Sequence, residues 1–378
     1  MDYRAIVMSA NFPPRPTGLR GRTAELATLD AIVRRGAPPL ALVGGGGSGK
    51  SILAAALGHR LAARFDGRID WFRIGRWDPS TLFELFARRF GTRAERDARV
   101  AALRRHFGRS PRLIVLDNHE DDRSTARLLE AFRDTQATFV ITARRCLLAG
   151  VLVYPVTAPL VTAGGAAFPR VASLTRVLRW NPLALDIADG IVASRAAGVR
   201  ELRRALSAAA VEEIRPVAHE DDLPEVAALI DWCLARLSPA ARRMLATLAH
   251  VEGDHVDLES LATLSRVRGD PRGALAPLRA FRLVQEPLAE RFALHAVVRY
   301  AIARRTPREA VDLDAIFEHY VGLLERAPER LPLEQTNLFA AMDHAHRKND
   351  LDGLVRIERL LAQIDAAPRR RRRGETAT

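Results

Sequence analysis

Eight residues constrain this chain more than any others: Gly44, Gly45, Gly46, Gly47, Ser48, Gly49, Lys50 and Ser51, in unbroken order. The run has the spacing G-x-x-x-x-G-K-[ST]; it follows a short apolar stretch at 40–43 and precedes a helix-forming stretch at 52–65. Residues without a Cβ let successive backbone N–H groups turn towards one point, and the next helix adds the partial positive charge of its N-terminus. Such a loop cradles an anion, above all the phosphates of ATP or ADP, with Lys50 reaching the β and γ oxygens and Ser51 offering a hydroxyl to Mg²⁺. Lysine is scarce elsewhere: of 58 basic residues only Lys50 and Lys348 are lysines. An ammonium and a guanidinium do different jobs, so position 50 reads as chemically required.

A buried strand that ends in such a loop needs parallel neighbours and helices on both faces. The sequence supplies them. Leu26, Leu29, Ile32 and Val33 share one helical face within 19–36, strand candidates follow at 69–74, 113–116, 138–142 and 151–156, and helical stretches at 81–90 and 125–133 lie between them. Beyond residue 159 strand signals thin out, and 168–190 and 199–214 read as helices of a lid. An acidic, proline-containing linker is expected at 219–224. Short helices and a hairpin pair at 283–287 and 291–294 give the order of a winged helix, and 310–364 is helical again. The expected division is an N-terminal extension (1–18), a P-loop α/β domain (19–158), a helical lid (159–218), a winged helix (219–305), a helical repeat-like segment (306–366) and a basic tail (367–378), disordered by composition.

Composition narrows the function classes. With 48% hydrophobic residues the chain can bury ordinary cores, while no run of eighteen apolar residues and no signal-like N-terminus occurs, so neither a membrane span nor secretion is expected and the cytoplasm is the expected compartment. Cys146 and Cys233 lack metal or disulfide spacing and read as core residues. The charge of +13 could attract nucleic acid, yet nearly all of it is arginine in a chain rich in Ala, Gly and Pro, which reads as a compositional habit; the run Arg369–Arg373 is solubilising on the same argument.

Two further strands end in chemistry. The stretch LIVLDNHE delivers Asp117 to the C-terminal end of its strand, where a parallel sheet places ligands, so Asp117 is expected to hold Mg²⁺ with Ser51. Asn118 stands where many P-loop ATPases keep a second carboxylate, leaving Glu120 as the substitute and predicting slow hydrolysis. TFVITARR places Thr142 and Arg144 at another strand end as γ-phosphate sensors.

With these motifs in hand, the chain from 11 to 364 resembles the STAND class of signal-transduction ATPases, in particular its NB-ARC-like branch and the ATPase cores of large bacterial transcriptional regulators. The lead-in NFPPRPTGLRGRTAEL carries Gly21, Arg22 and Glu25 of the family's Gly-Arg-x-x-Glu motif, a segment that implies a border for adenine. NPLALDIA resembles the lid's Gly-x-Pro-Leu-Ala segment and implies that Pro182 packs near the base, although Asn181 precedes it. RFALHAVVRYAI resembles the winged-helix motif Met-His-Asp followed by Val-Arg-x-Tyr-Ala, with Ala296 in place of the acidic residue. The resemblance implies that His295 touches the β-phosphate of ADP in a closed state and that ATP favours an open, self-assembling one. The family usually adds an effector before the lead-in motif and a sensor array after the winged helix, so either the output is expected in an unidentified protein partner or the chain is expected to be a shortened paralogue. Two other readings stay open: a DNA-acting AAA+-like ATPase using the winged helix and basic tail, and a non-catalytic regulator holding nucleotide as a structural cofactor.

Overall fold

In the computed structural model, which describes residues 12–13, 15–16, 21–74, 79–90, 98–157, 168–212, 222–251, 253–306 and 311–366, the N-terminal half is built on five parallel strands. They are β1 (Leu40–Val43), β2 (Ile69–Arg73), β3 (Arg112–His119), β4 (Ala137–Ala143) and β5 (Leu152–Pro155), in the spatial order β2-β3-β4-β1-β5. The register pairs Val43 with Ala143 and Pro155, and Arg73 with Asp117, so the C-terminal strand ends line up along one edge. Strand β3 shows the period of two: Leu113 and Val115 face one core while Ile114 and Leu116 face the other. The first core is closed by α1 (Thr23–Arg34) and α2 (Lys50–Leu61) through Leu29, Val33, Leu53 and Leu57. The second is closed by α3 (Pro79–Phe90), α4 (Arg99–Gly108) and α5 (Asp122–Ala131), with Phe86, Phe107 and Phe132 in mutual ring contact.

Helix α4 is absent from the sequence reading. Only Leu103 and Phe107 of its ten residues are buried, one turn apart among arginines, too narrow a stripe to stand out. The helix expected over 168–190 is also two pieces: a 3₁₀ stretch, Pro169–Leu174, and α6 (Pro182–Ala193). Arg179 and Trp180 between them have φ of 49° and 57°, Asn181 then caps α6, and Pro182 takes the first helical position, where its missing N–H costs nothing. Helix α7 (Val199–Glu212) completes the lid.

After it come α8 (Pro224–Arg236), α9 (Pro239–His250), β6 (Val256–Asp257), α10 (Leu258–Leu264), α11 (Pro271–Ala280), β7 (Val284–Leu288), β8 (Arg291–Leu294) and α12 (Ala296–Ala303). The three strands pair antiparallel in the order β6-β8-β7, giving the helices and hairpin of a winged-helix arrangement. Lid and winged helix share one core, in which Leu185, Ile187 and Ile191 pack with Ile230, Leu248, Leu278 and Val298. The last helices, α13 (Leu313–Arg326), α14 (Leu331–Lys348) and α15 (Leu351–Ala366), form a smaller core around Phe317, Val321, Leu338 and Ile357. Phe339 of α14 points away from it and joins the sheet core instead.

Cys233 is buried, which pushes its thiol up to about 12, and Cys146 is half-buried. No described helix is long and apolar enough to cross a membrane. The run Arg369–Arg373, most of the extension 1–18 and half of the linker at 219–224 lie outside the described residues.

Candidate phosphate-binding site

The loop 44–51 leaves β1 tied to both neighbouring strands. Gly44 N donates to Ala143 O (3.2 Å) and Val156 N to Val43 O (2.7 Å). A Cβ at Gly44 would lie 2.3 Å from Val156 O, and Gly47 and Gly49 have φ of 72° and 90°, so the loop demands glycine at these points for space or for conformation. Lys50 opens α2 and folds back across the loop, its Nζ donating to Gly44 O (2.7 Å) and Gly45 O (2.8 Å). Ser48 Oγ is buried without a hydrogen-bond partner among the described residues.

On the metal side, Ser51 Oγ and Thr142 Oγ1 both donate to Asp117 Oδ1, at 2.7 and 2.6 Å, and Asn118 N donates to Thr142 Oγ1 (3.0 Å). Thr142 differs from its expected role: it is 1% exposed and uses its hydroxyl to orient Asp117. The ladder slips between Leu116 and His119, Asn118 turns to φ 60°, and the exposed Glu120 accepts from Asn118 Nδ2 (2.8 Å). Hard oxygen donors at Ser51 and Asp117, an ammonium over the loop and an orphan hydroxyl fit a magnesium-bound phosphate chain. Bound there, the ion would neutralise charge between β and γ oxygens.

The walls come from elsewhere. Arg22 is 5% exposed and lies behind the loop, donating to Ser48 O (2.5 Å), Thr157 O (2.8 Å) and Glu25 Oε2 (2.6 Å), so its charge braces the loop and the exit of β5. Asn181, a departure from the lid motif, accepts from Leu183 N and Ala184 N with Oδ1 and donates from Nδ2 to Gly46 O (3.3 Å). It joins the lid to the loop and sets Pro182, half-buried, at the head of α6. From the winged helix, His295 caps α12: its Nδ1 accepts from Val297 N (3.2 Å), which leaves the proton on Nε2. Burial first, then the charges of Lys50, Arg73 and Arg144, push this imidazole down to about 4, so it is a neutral donor at physiological pH. The structure thus sets His295 within reach of the charges of Lys50, Arg144 and also Arg73, which the sequence reading missed. Arg73 ends β2 in register with Asp117; the rule that singled out Asp117 and Arg144, a polar residue at a strand's C-terminal end, finds it as well.

No protein-family model matches this sequence. The chain is 27% identical over 339 residues, 81% of its length, to the regulatory protein AfsR of Streptomyces coelicolor, and spans 34% of that protein. Among solved structures it is similar to a signal transduction ATPase with numerous domains, a STAND protein with a tetratricopeptide repeat sensor, from Pyrococcus horikoshii. That likeness has a TM-score of 0.58 at 16% identity and covers 93% of this chain and 54% of that one. The Aeropyrum pernix ORC1 protein, solved in complex with DNA, aligns over 79% of this chain and 96% of its own, at a TM-score of 0.33 and 18% identity, too distant to bear on function. With its parallel sheet, glycine loop and helical remainder, the chain shares its fold with that signal transduction ATPase.

Proposed function

We propose that the chain is an ATP/ADP-controlled switch in which a nucleotide bound at the glycine loop holds the sheet domain, lid and winged helix together. The observation that carries this reading is that the glycine loop is tied to the lid, through Asn181 Nδ2 and Gly46 O (3.3 Å), while the charge of Lys50 reaches the imidazole of His295. The loop amides and Lys50 bind the β-phosphate, Ser51 and Asp117 hold Mg²⁺, and Nε2–H of His295 donates to a diphosphate oxygen. Arg144 reads the γ-phosphate, and Pro182 lies against the base. A neutral imidazole suits this task because it adds a directional donor to a cleft already rich in cations. Asn118, in place of a second carboxylate, supports slow hydrolysis, so occupancy governs the state. The two nucleotides must bind the closed and open forms with unequal affinity, since equal affinity shifts no equilibrium. The open form self-assembles and engages a protein effector.

The test is to purify the protein, identify the nucleotide it releases, and compare Lys50→Ala and His295→Ala. ADP is expected in the parent and almost none in Lys50→Ala. In His295→Ala ADP exchange should quicken by about ten-fold, the worth of one charge-assisted hydrogen bond. Unchanged exchange removes the histidine from the mechanism, and a parent that takes up no nucleotide with Mg²⁺ removes the switch.

A further inference from the structure

The turn at the tip of the glycine loop has two available shapes, and a side chain of the lid holds it in one of them. Ser48 N donates to Gly45 O (3.3 Å), which closes a turn over 45–48 with the Gly46–Gly47 peptide at its centre. Of the two central residues only Gly47 has a positive φ (72°), the arrangement of a type II turn. Type I differs by about half a rotation of that one peptide, and with glycine on both sides no Cβ opposes the change. The loop's own residues therefore leave the direction of this peptide open.

Asn181 fixes it from the lid. Its Oδ1 is committed to the cap of α6, accepting from Leu183 N (3.0 Å) and Ala184 N (3.1 Å), which sets the plane of the carboxamide and aims Nδ2 at Gly46 O (3.3 Å). The seat is tight: a Cβ at Gly47 would lie 2.8 Å from Asn181 Oδ1. In a planar trans peptide the C=O and the following N–H point in opposite directions, so the bond that draws Gly46 O towards the lid turns the Gly47 N–H away from it. That N–H has no acceptor among the described residues, whereas Gly44 N and Ser48 N are committed to Ala143 O and Gly45 O. Aspartate or serine would cap α6 about as well as asparagine. Only the carboxamide offers the cap an acceptor and, from the same plane, the loop a donor.

We propose that Asn181 is a positioning residue for the phosphates: by holding Gly46 O to the lid it presents the Gly47 N–H to a phosphate oxygen, so the loop has its full set of donors only while the lid is docked. This rests on the reading of the glycine loop as an ADP/ATP site. The coupling runs both ways, because an oxygen bound to the Gly47 N–H fixes the same peptide and strengthens the lid's hold on Gly46 O by the same factor.

The full chain, stripped of nucleotide, is titrated calorimetrically with Mg²⁺-ADP as parent, Asn181→Ser, Asn181→Asp and Lys50→Ala, with thermal melts of each nucleotide-free protein. Asn181→Ser keeps a cap, adds no charge and is too short to reach Gly46 O. It should weaken ADP binding by about five-fold, the scale of one neutral hydrogen bond, with the melting temperature within about 2 °C of the parent. Asn181→Asp also keeps the cap but sets a carboxylate oxygen against Gly46 O, which favours the reversed peptide with its N–H on the carboxylate; the loss should reach about ten-fold or more. ADP affinity in Asn181→Ser within about two-fold of the parent overturns the proposal, since a loss in Asn181→Asp alone is plain charge repulsion. A loss in Asn181→Ser that comes with a melting temperature lower by more than about 5 °C belongs to lid packing and overturns it too. Lost binding in Lys50→Ala beside unmoved affinity in Asn181→Ser sinks this inference alone. Equal binding by the parent and Lys50→Ala sinks the site reading and the inference with it.

Discussion

At Gly47 the backbone has φ 72°, and a Cβ there would lie 2.8 Å from Asn181 Oδ1 and 2.9 Å from Leu183 Cβ. Alanine at this position therefore meets two costs, a left-handed conformation and a clash that pushes α6 from the loop, together about 2–4 kcal/mol. At Gly45 the same Cβ meets nothing within 4 Å. Gly47→Ala should lower the urea midpoint and weaken ADP binding, whereas Gly45→Ala should leave the midpoint nearly unchanged; equal effects would show that the lid does not rest on the loop through Asn181. Lys50, Ser51 and Asp117 were legible because their chemistry is written in local spacing, a loop followed by a helix or a strand that stops. Asn181 was visible only as a deviation from a motif. Its side chain spans from the cap of its own helix to Gly46 O, a contact across 135 residues that no local pattern encodes.

Among elements, α14 does most to connect the parts. Glu334 is fully buried and accepts from Arg291 (2.8 Å), Arg330 (3.1 Å) and Asn337 (2.8 Å), while Arg291 Nε donates to His255 Nδ1 (2.8 Å) and Arg330 to Asp257 Oδ2 (2.9 Å). A buried ion pair adds little net stability, but removing one partner leaves a charge stranded. Glu334→Ala, which strands Arg291, should cost about 3–5 kcal/mol in chemical denaturation, and Glu334→Gln less, because the amide oxygen still accepts. Equal losses would mean that packing rather than charge sets the cost. The reading of 310–364 as helical covered this helix, whose extent is Leu331–Lys348. It could not tell that Leu338 and Phe339, adjacent in sequence, serve different cores.

For the molecule as a whole, acid sensitivity follows from the histidines. His295 is pushed down to about 4 and His255 to about 3, burial being the first cause for both, with Arg291 next for His255 and Lys50 next for His295. In the unfolded chain both return to about 6.5, so between that value and their folded ones the unfolded state binds more protons. Their contribution is complete above about pH 6.5 and is lost as pH falls. Asp254 and Glu225, raised chiefly by burial, act in the opposite sense near their own lower range. The urea midpoint should therefore drop between about pH 7 and pH 5, and a His255→Gln, His295→Gln double variant should show a flatter profile; an unaltered slope would place the acid response elsewhere.

By itself the sequence determined the P-loop, the parallel α/β class, the helical character of most of the remainder and the candidate phosphate and metal ligands. Each of these depends on residues a few positions apart, where periodicity, glycine and capping act directly. Only the tertiary structure decided that β4 lies between β1 and β3, that lid and winged helix share one core, that Arg22 braces the loop, and that the charges of Lys50, Arg73 and Arg144 reach His295. Those outcomes depend on which buried faces match and which charges find partners across long stretches of chain, and such complementarity exists only once the elements have packed.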